Sequence, residues 1–350
     1  MNALSLFNGM NFCRMALDTL EIPVGNFYSS EIDTHANQAA QALFPDTIQL
    51  GDVTKWRDWD LDWESIDLVT GGFPCQSWSI AGKQLGDKDD RGKLFWVMLD
   101  IMKHVKHHNP KANFLIENVK MKKEFEVYIT THTENALGKV HKVLINSALV
   151  SAQNRNRYYW TSFEVDQPKD KEVLLKDILE SNVADPSKSY GTGDNYDKGV
   201  DLKSYFEKHS SPLVFKANNG KQVTIHESDI FEPKAFYETR TQFGKDERKR
   251  LSKLNGRDTT PRDKLSKHYI AQTHSKANCI VTVDSFLNWI IDKDYFCRKL
   301  TSRECFRLQT VPEHHIDTLL SAGISNTQLY KMCGNGWTHN VIAHIFKGLR

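Results

Sequence analysis

The chain has 350 residues, 39% hydrophobic and 26% charged, enough for one large domain and a smaller one. Lys and Arg number 46 against 44 Asp and Glu, a formal charge of +2, so any nucleic-acid-binding surface has to be local. Six cysteines, at 13, 75, 279, 297, 305 and 333, include no CxxC pair, which argues against zinc and for free thiols in a reducing compartment. The opening apolar run, 4–7, is too short for a signal peptide, and no stretch approaches the ~20 apolar residues of a membrane span. A cytoplasmic protein is expected.

Residues 4–7 read as a strand ending at Asn8-Gly9, and 13–20 as a helix. Strands are expected at 27–31, 48–53 and 66–70, the last a buried run closing on Gly71-Gly72-Phe73-Pro74-Cys75-Gln76. Residues 94–102 read as an apolar helix. Residues 114–116 form a fifth strand, running into Glu117-Asn118-Val119. Later strands are expected at 143–146 and 157–160, and a closing helix at 341–346. Strands separated by helices imply an α/β fold with a doubly wound, mostly parallel sheet. Composition changes near residue 165. Residues 166–278 are rich in Lys, Asp, Ser, Gly and Asn, with Gly191-Thr192-Gly193 reading as loop. Within them, 240–268 hold ten Lys/Arg against four Asp/Glu, including Arg248-Lys249-Arg250. Two domains are expected: 1–165 plus 279–350, and a smaller, partly irregular 166–278.

In an open parallel sheet, ligands bind beyond the carboxyl ends of the strands. Glu31 and Asp52 stand there and could grip a nucleoside; they could equally be helix caps or solvated acids. Gly9-Met10-Asn11-Phe12 lacks a third glycine, so an adenosyl cofactor without a pyrophosphate fits better than a dinucleotide. Cys75 alone is more often a small buried hydrophobe than a nucleophile. Three features favour the nucleophile. Gly71-Gly72 permits close backbone approach, Pro74 fixes φ before the thiol, and a polar, glycine-bearing loop follows. A thiolate needs nearby positive charge, which Arg155 and Arg157 could supply from one extended segment. Their plainer reading is a solvated edge strand. Gly334-Asn335-Gly336-Trp337 reads as a tight turn beside a ligand or as a simple helix entry. The pairs His107-His108 and His314-His315 read as surface residues.

The ordered series resembles the cytosine-C5 DNA methyltransferase family. It comprises Leu6-Phe7-Asn8-Gly9, Ser30-Glu31-Ile32-Asp33, Gly51-Asp52-Val53, Gly72-Phe73-Pro74-Cys75-Gln76-Ser77 and Arg91-Gly92-Lys93-Leu94-Phe95. It continues through Glu117-Asn118-Val119, Gln153-Asn154-Arg155-Asn156-Arg157, Arg298-Lys299-Leu300-Thr301 with Glu304-Cys305-Phe306-Arg307-Leu308-Gln309, and Gly334-Asn335-Gly336. The resemblance covers about 1–165 and 279–350, and the central segment falls where the family keeps its target-recognition domain.

The resemblance implies a Rossmann-like class I methyltransferase fold, S-adenosylmethionine as cofactor with no metal, double-stranded DNA as partner, and a monomer. It places Phe7, Gly9, Glu31, Ile32, Asp52, Val53, Pro74, Leu94 and Asn335 around the cofactor, Glu31 on the ribose and Asp52 on the adenine amino group. Cys75 would add to C6 of a flipped cytosine, Glu117 would meet N3 and the exocyclic amine, and Arg155 the O2 edge, with Arg157 beside it. Gln76, Ser79 and Arg248-Lys249-Arg250 would contact DNA. The family's Asp two residues before Phe7 is Ser5 here, and its Gly-x-Gly-Gly turn is Gly9-Met10-Asn11-Phe12. A small residue often seen six places after the cysteine is Ala81. A tRNA-directed branch carries Cys-Phe-Thr, which this chain lacks. A non-catalytic paralogue would usually lose the cysteine or the glutamate, and a nicotinamide dehydrogenase would not explain Pro74-Cys75-Gln76. The expected source is a restriction-modification system, an orphan methylase or a phage.

Overall fold

A computed structural model describes residues 1–74, 90–181, 183, 200–216, 222–230, 233–240, 246, 250, 253, 267–271, 276–277, 279–280, 289–291 and 296–349. Cys75, Gln76, Ser79, Ala81, Arg248, Lys249 and the Gly191 segment lie outside these. The chain divides into two compact units. One comprises Met1–Ser151, Arg155–Glu172 and Phe306–Arg350; the other Ala152–Asn154 and Val173–Cys305.

The first unit is built on seven strands: β1 (Asn2–Leu6), β2 (Phe27–Ser30), β3 (Ile48–Gln49), β4 (Ile66–Gly71), β5 (Asn113–Val119), β6 (His141–Asn146) and β7 (Asn156–Thr161). Their order is β3-β2-β1-β4-β5-β7-β6. All neighbours are parallel except the two pairs made by β7. This is the mostly parallel sheet expected from the sequence.

Both faces are covered, so the central strands are apolar throughout rather than alternating. Ala3, Leu68 and Leu115 point to the face covered by Cys13, Ala16 and Leu17 of α1 (Phe12–Thr19) and by Val341, Ile342, Ile345 and Phe346 of the helix His339–Phe346. Their chain neighbours Leu4, Val69, Phe114 and Ile116 point to the other. There they meet Phe95, Met98, Leu99, Met102 and Val105 of α3 (Asp90–His108), and Ile129 of α4 (Lys123–Leu137). The period of two along each strand produces this sorting.

The third strand is shorter than expected. Residues 48–53 do not continue as strand because Gly51 turns with φ +72° and Asp52 caps a 3-10 helix, Val53–Asp58. Two helices absent from the sequence expectation, α2 (Thr34–Leu43) and α4, complete the crossovers. Asp33 starts α2 by accepting hydrogen bonds from the backbone N–H groups of His35 and Ala36.

The second unit carries a sheet of its own. It orders β8 (Val200–Asp201), β14 (Phe296–Lys299), β13 (Trp289–Ile291), β11 (Lys234–Arg240), β12 (Lys267–Ala271), β10 (Gln222–Ile225) and β9 (Leu213–Lys216). Every pair is antiparallel except β10 with β12. Residues 166–278, whose composition reads as irregular, thus hold five short strands among those described, and β13 and β14 complete the sheet from beyond them. A buried pair anchors this unit. The Arg298 guanidinium donates to both oxygens of Glu304, each at 2.8 Å.

Candidate active site

The carboxyl ends of β1, β2 and β3 meet at the turn after β1. Phe7, Gly9 and Asn11 all take left-handed backbone, with φ 54°, 61° and 70°. Gly9 does so at no steric cost. Asn11 tolerates it because its side chain is held: Nδ2 donates to the Ala40 carbonyl (3.1 Å) and to Thr47 Oγ1 (2.9 Å). Oδ1 of Asn11 accepts from Asn8 Nδ2, which also donates to Ser29 Oγ. Among the described residues, Asn8 Oδ1 is buried without a partner.

Glu31 stands just beyond β2. Its Oε2 accepts from the Gly9 N–H at 3.0 Å, and its Oε1 accepts from the Ile32 and Asp33 N–H groups at 2.8 and 2.9 Å. The carboxylate is therefore fixed in orientation and retains acceptor capacity on Oε2. Beside it, Ile32 exposes 74% of its surface, an apolar face next to a carboxylate. Asp52 caps its helix through Oδ1, which accepts from the Thr54 N–H and Oγ1, both 2.9 Å away. That leaves Oδ2 without a hydrogen bond among the described residues. A Cβ built on Gly9 meets nothing within 4 Å, so the turn has open space over it. Oriented acids, an exposed aliphatic face and an open glycine turn fit an adenosyl group. Val53 is buried, Phe7 and Leu94 are partly buried against the core, and Asn335 is exposed at the end of the helix Asn326–Asn335.

Ser5, in place of an acid, is buried and accepts a hydrogen bond from Thr70 Oγ1 at 3.0 Å. Burial pushes the neighbouring Cys13 thiol up to about 12, despite help from Thr70 and Arg14. That thiol is inert.

The second cluster gathers at the ends of β4 and β5. Asn118 Nδ2 donates to the Phe73 carbonyl at 3.1 Å, tying the two strand ends together. Glu117 is almost fully buried, and each of its oxygens has one nitrogen partner. Arg157 Nε lies 3.0 Å from Oε1, and Trp337 Nε1–H donates to Oε2 at 3.0 Å. Gly72 sits against this pair: a Cβ there would be 3.0 Å from both Glu117 Oε2 and Trp337 Nε1. Close backbone approach at Gly72 is thus made to the carboxylate and the indole.

The two arginines separate. Arg155, 3% exposed, donates through Nη2 to the Gly336 carbonyl at 2.7 Å and to that of Gly334 at 3.3 Å. Arg157 alone pairs with Glu117. Neither sits on a solvated edge, since β7 lies between β5 and β6. Gly334 and Asn335 form the last turn of a helix that Gly336 caps. Trp337 follows directly, and sequence reasoning gave it no role. Its signal was the aromatic itself, closing the turn Gly334-Asn335-Gly336.

Arg250 is exposed. His315, expected at the surface, is instead buried against Phe44, with ring centroids 5.3 Å apart. The helix Glu313–Ser321 turns His315 inward alongside Ile316 and Leu319 while His314 faces solvent. Among the described residues no group of three or more His, Cys, Asp or Glu could hold a metal ion, and no helix is long and apolar enough to cross a membrane.

The chain is similar to several known methyltransferases. The type II methyltransferase M1.ScrFI of Lactococcus lactis subsp. cremoris is 30% identical over 349 residues, covering 95% of this chain and 73% of that protein. The orphan methyltransferase M.SPRI of Bacillus phage SPR is 25% identical, covering 100% of this chain and 97% of its own. A DNA modification methyltransferase encoded within an E. coli prophage shares the fold with a TM-score of 0.56 at 16% identity, over 100% of this chain and 98% of that one. DNMT2 of Spodoptera frugiperda gives 0.52 at 17% identity, over 99% of each chain. The C-5 cytosine-specific DNA methylase profile matches residues 1–350, and the chain belongs to that family.

Proposed function

We propose that this chain transfers a methyl group from S-adenosylmethionine to C5 of a cytosine flipped out of double-stranded DNA. The observation that carries the reading is Glu117: a buried carboxylate two residues before the end of β5, held by Arg157 and Trp337 against Gly72. Three residues further along the chain stands Cys75.

A cytosine ring resists methylation at C5 until a nucleophile adds at C6. The Cys75 thiolate forms the S–C6 bond from the ring face, which requires the base to leave the stack. Glu117 meets the N3 and exocyclic-amine edge and supports the ring as electron density moves toward it. C5 then takes the methyl group, loses its proton, and the S–C6 bond breaks as the double bond re-forms. The cofactor supplies the electrophilic methyl. Glu31 would hold its ribose and Asp52 its adenine amino group, with Phe7, Gly9, Ile32, Val53, Pro74, Leu94 and Asn335 around them. Arg157 is the arginine on the carboxylate, so it suits the O2 edge of the base better than Arg155, whose Nη2 donates to two carbonyls.

Residues 166–278 serve in this reading as the target-recognition segment. Gln76 and Ser79 contact DNA near the base, and Arg248, Lys249 and Arg250 contact phosphates. The enzyme works as a monomer in the cytoplasm of a bacterium or phage-infected host, as a restriction-modification partner, an orphan methylase or a phage enzyme.

The test incubates wild type and Cys75→Ala with labelled cofactor and mixed-sequence DNA. Wild type incorporates label into DNA and not into RNA, and Cys75→Ala incorporates none. Equal incorporation by the two proteins would end the proposal. Bisulfite sequencing of the methylated DNA then reports which cytosine is chosen.

A further inference from the structure

We propose that Trp337 is a positioning residue for the methyl transfer, acting through Glu117; the inference rests on the reading of Glu117 given above. A carboxylate at a strand end can rotate about its last bond and present either edge to a substrate. Here it cannot, because its two oxygens are claimed from two sides. Arg157 Nε takes Oε1 and Trp337 Nε1–H takes Oε2, each at 3.0 Å. Each oxygen keeps one more acceptor direction. A base edge that offers two groups side by side needs a carboxylate held in one orientation.

The indole is itself fixed. Its backbone follows Gly336, whose carbonyl accepts from Arg155 at 2.7 Å. Gly336 in turn lies against the Phe12 ring, so closely that a Cβ there would fall 2.3 Å from Cε2. On the far side, Thr338 Oγ1 donates to Gln309 Oε1 at 3.0 Å, and Gln309 Nε2 donates to the Cys333 carbonyl. The ring packs among the residues under the sheet that include Cys13 and Ile342. Arg155 therefore reaches the site indirectly: it holds the carbonyl of Gly336, the turn holds the indole, and the indole holds Glu117. This gives a use to a buried guanidinium that lies on carbonyls.

The experiment removes the N–H and keeps the ring. Trp337 is replaced by Phe, and separately by 3-benzothienylalanine, which has sulfur where the indole has N–H. The second variant guards against loss of packing. Methyl incorporation into mixed-sequence DNA is measured together with cofactor binding by calorimetry. Hydrogen bonds to a charged group predict a drop in kcat of about 10- to 100-fold in both variants. Cofactor Kd should stay within about twofold, since the indole touches Glu117 and not the turn after β1. Glu117→Gln and the double variant close a cycle. If Trp337 acts through Glu117, adding Trp337→Phe to Glu117→Gln costs little further. A benzothienyl variant with wild-type kcat, or fully additive losses in the double variant, overturns the inference. An active Glu117→Gln enzyme would instead overturn the role of Glu117, a different failure.

Discussion

Replacing Gly336 by alanine should be among the most damaging small changes in the first unit. The backbone there has φ −69°, which any residue adopts, so the penalty is steric alone. The new Cβ would lie 2.3 Å from Phe12 Cε2, 2.8 Å from Cζ and 2.9 Å from the Met332 carbonyl oxygen, where ordinary contacts begin at 3.4 Å. Separating Cβ from the ring takes a shift of more than 1 Å. Phe12 is 2% exposed and has nowhere to swing. The backbone cannot yield freely either, because the Gly336 N–H caps its helix on that same Met332 carbonyl at 2.8 Å. Overpacking of a well-filled site costs about 1–3 kcal/mol, and contact with backbone as well as ring puts this case near ~3. Urea unfolding gives the number, as a lower midpoint at unchanged slope. Phe12→Ala alone should cost about 3–5 kcal/mol through its cavity. The double variant should recover at least ~1 kcal/mol relative to the sum, because the removed ring makes room for the methyl. A loss below ~0.5 kcal/mol for Gly336→Ala, or additivity within ~0.5 kcal/mol, would refute the packing argument.

Two further outcomes follow from buried charges. Glu304→Gln should destabilise the second unit by about 3–5 kcal/mol, since it leaves the 2%-exposed Arg298 guanidinium without its counter-charge; calorimetric unfolding showing no loss would contradict this. His315 is held neutral by burial, which pushes its ring down to about 4, with His314 adding in the same direction. Above pH ~6.5 the ring is neutral folded or unfolded, so it adds no pH dependence there. As pH falls from ~6.5 toward 4 the unfolded chain takes the proton first, and stability drops across that window. His315→Gln should flatten the decline of Tm over that range, and an unchanged slope would remove His315 from the account.

The first sheet was legible because its strands are buried on both faces. Runs such as Ile66-Asp67-Leu68-Val69-Thr70 stand out against their polar surroundings. Helices α2 and α4 were not. Thr34–Leu43 is mostly Ala, Gln and Asn, and only Ala36, Ala39, Ala40 and Leu43 are buried, too small a stripe to announce a period of 3.6. The third strand was over-read because Ile48 and Leu50 alternate with Gln49 and Val53 follows close by, while a glycine with positive φ turns the chain at Gly51. Glu31 and Glu117 were legible as acids at strand ends. Asp52 turned out to be a cap and still keeps one oxygen, so the two readings offered for it are compatible. Trp337 and the carbonyl-bound state of Arg155 depend on a contact across 220 and 181 residues respectively, and no local pattern carries such information. The second sheet was hidden because its strands are short and half of its six pairings join strands that are not consecutive in the chain.

The departures from the family's glycine turn form one connected change. A turn that loses two glycines should lose left-handed backbone or become strained. Here Gly9 keeps φ 61° and Asn11 keeps φ 70°, and the asparagine that replaces a glycine is tied by its amide to Ala40 and Thr47 and by its oxygen to Asn8. Asparagine is the residue that best tolerates that conformation after glycine, and its unfolded chain has less entropy to lose. Phe12, replacing the next glycine, fills space that Gly336 leaves by having no side chain. Ser5, replacing the acid, satisfies its hydroxyl on Thr70. The turn beside Glu31 is thus held by hydrogen bonds and an aromatic contact. The aromatic contact passes to Gly336, the residue before Trp337. Shape at the turn after β1 and shape at Glu117 are consequently set by the same Phe12–Gly336 junction, and a change at residue 12 should be felt at both.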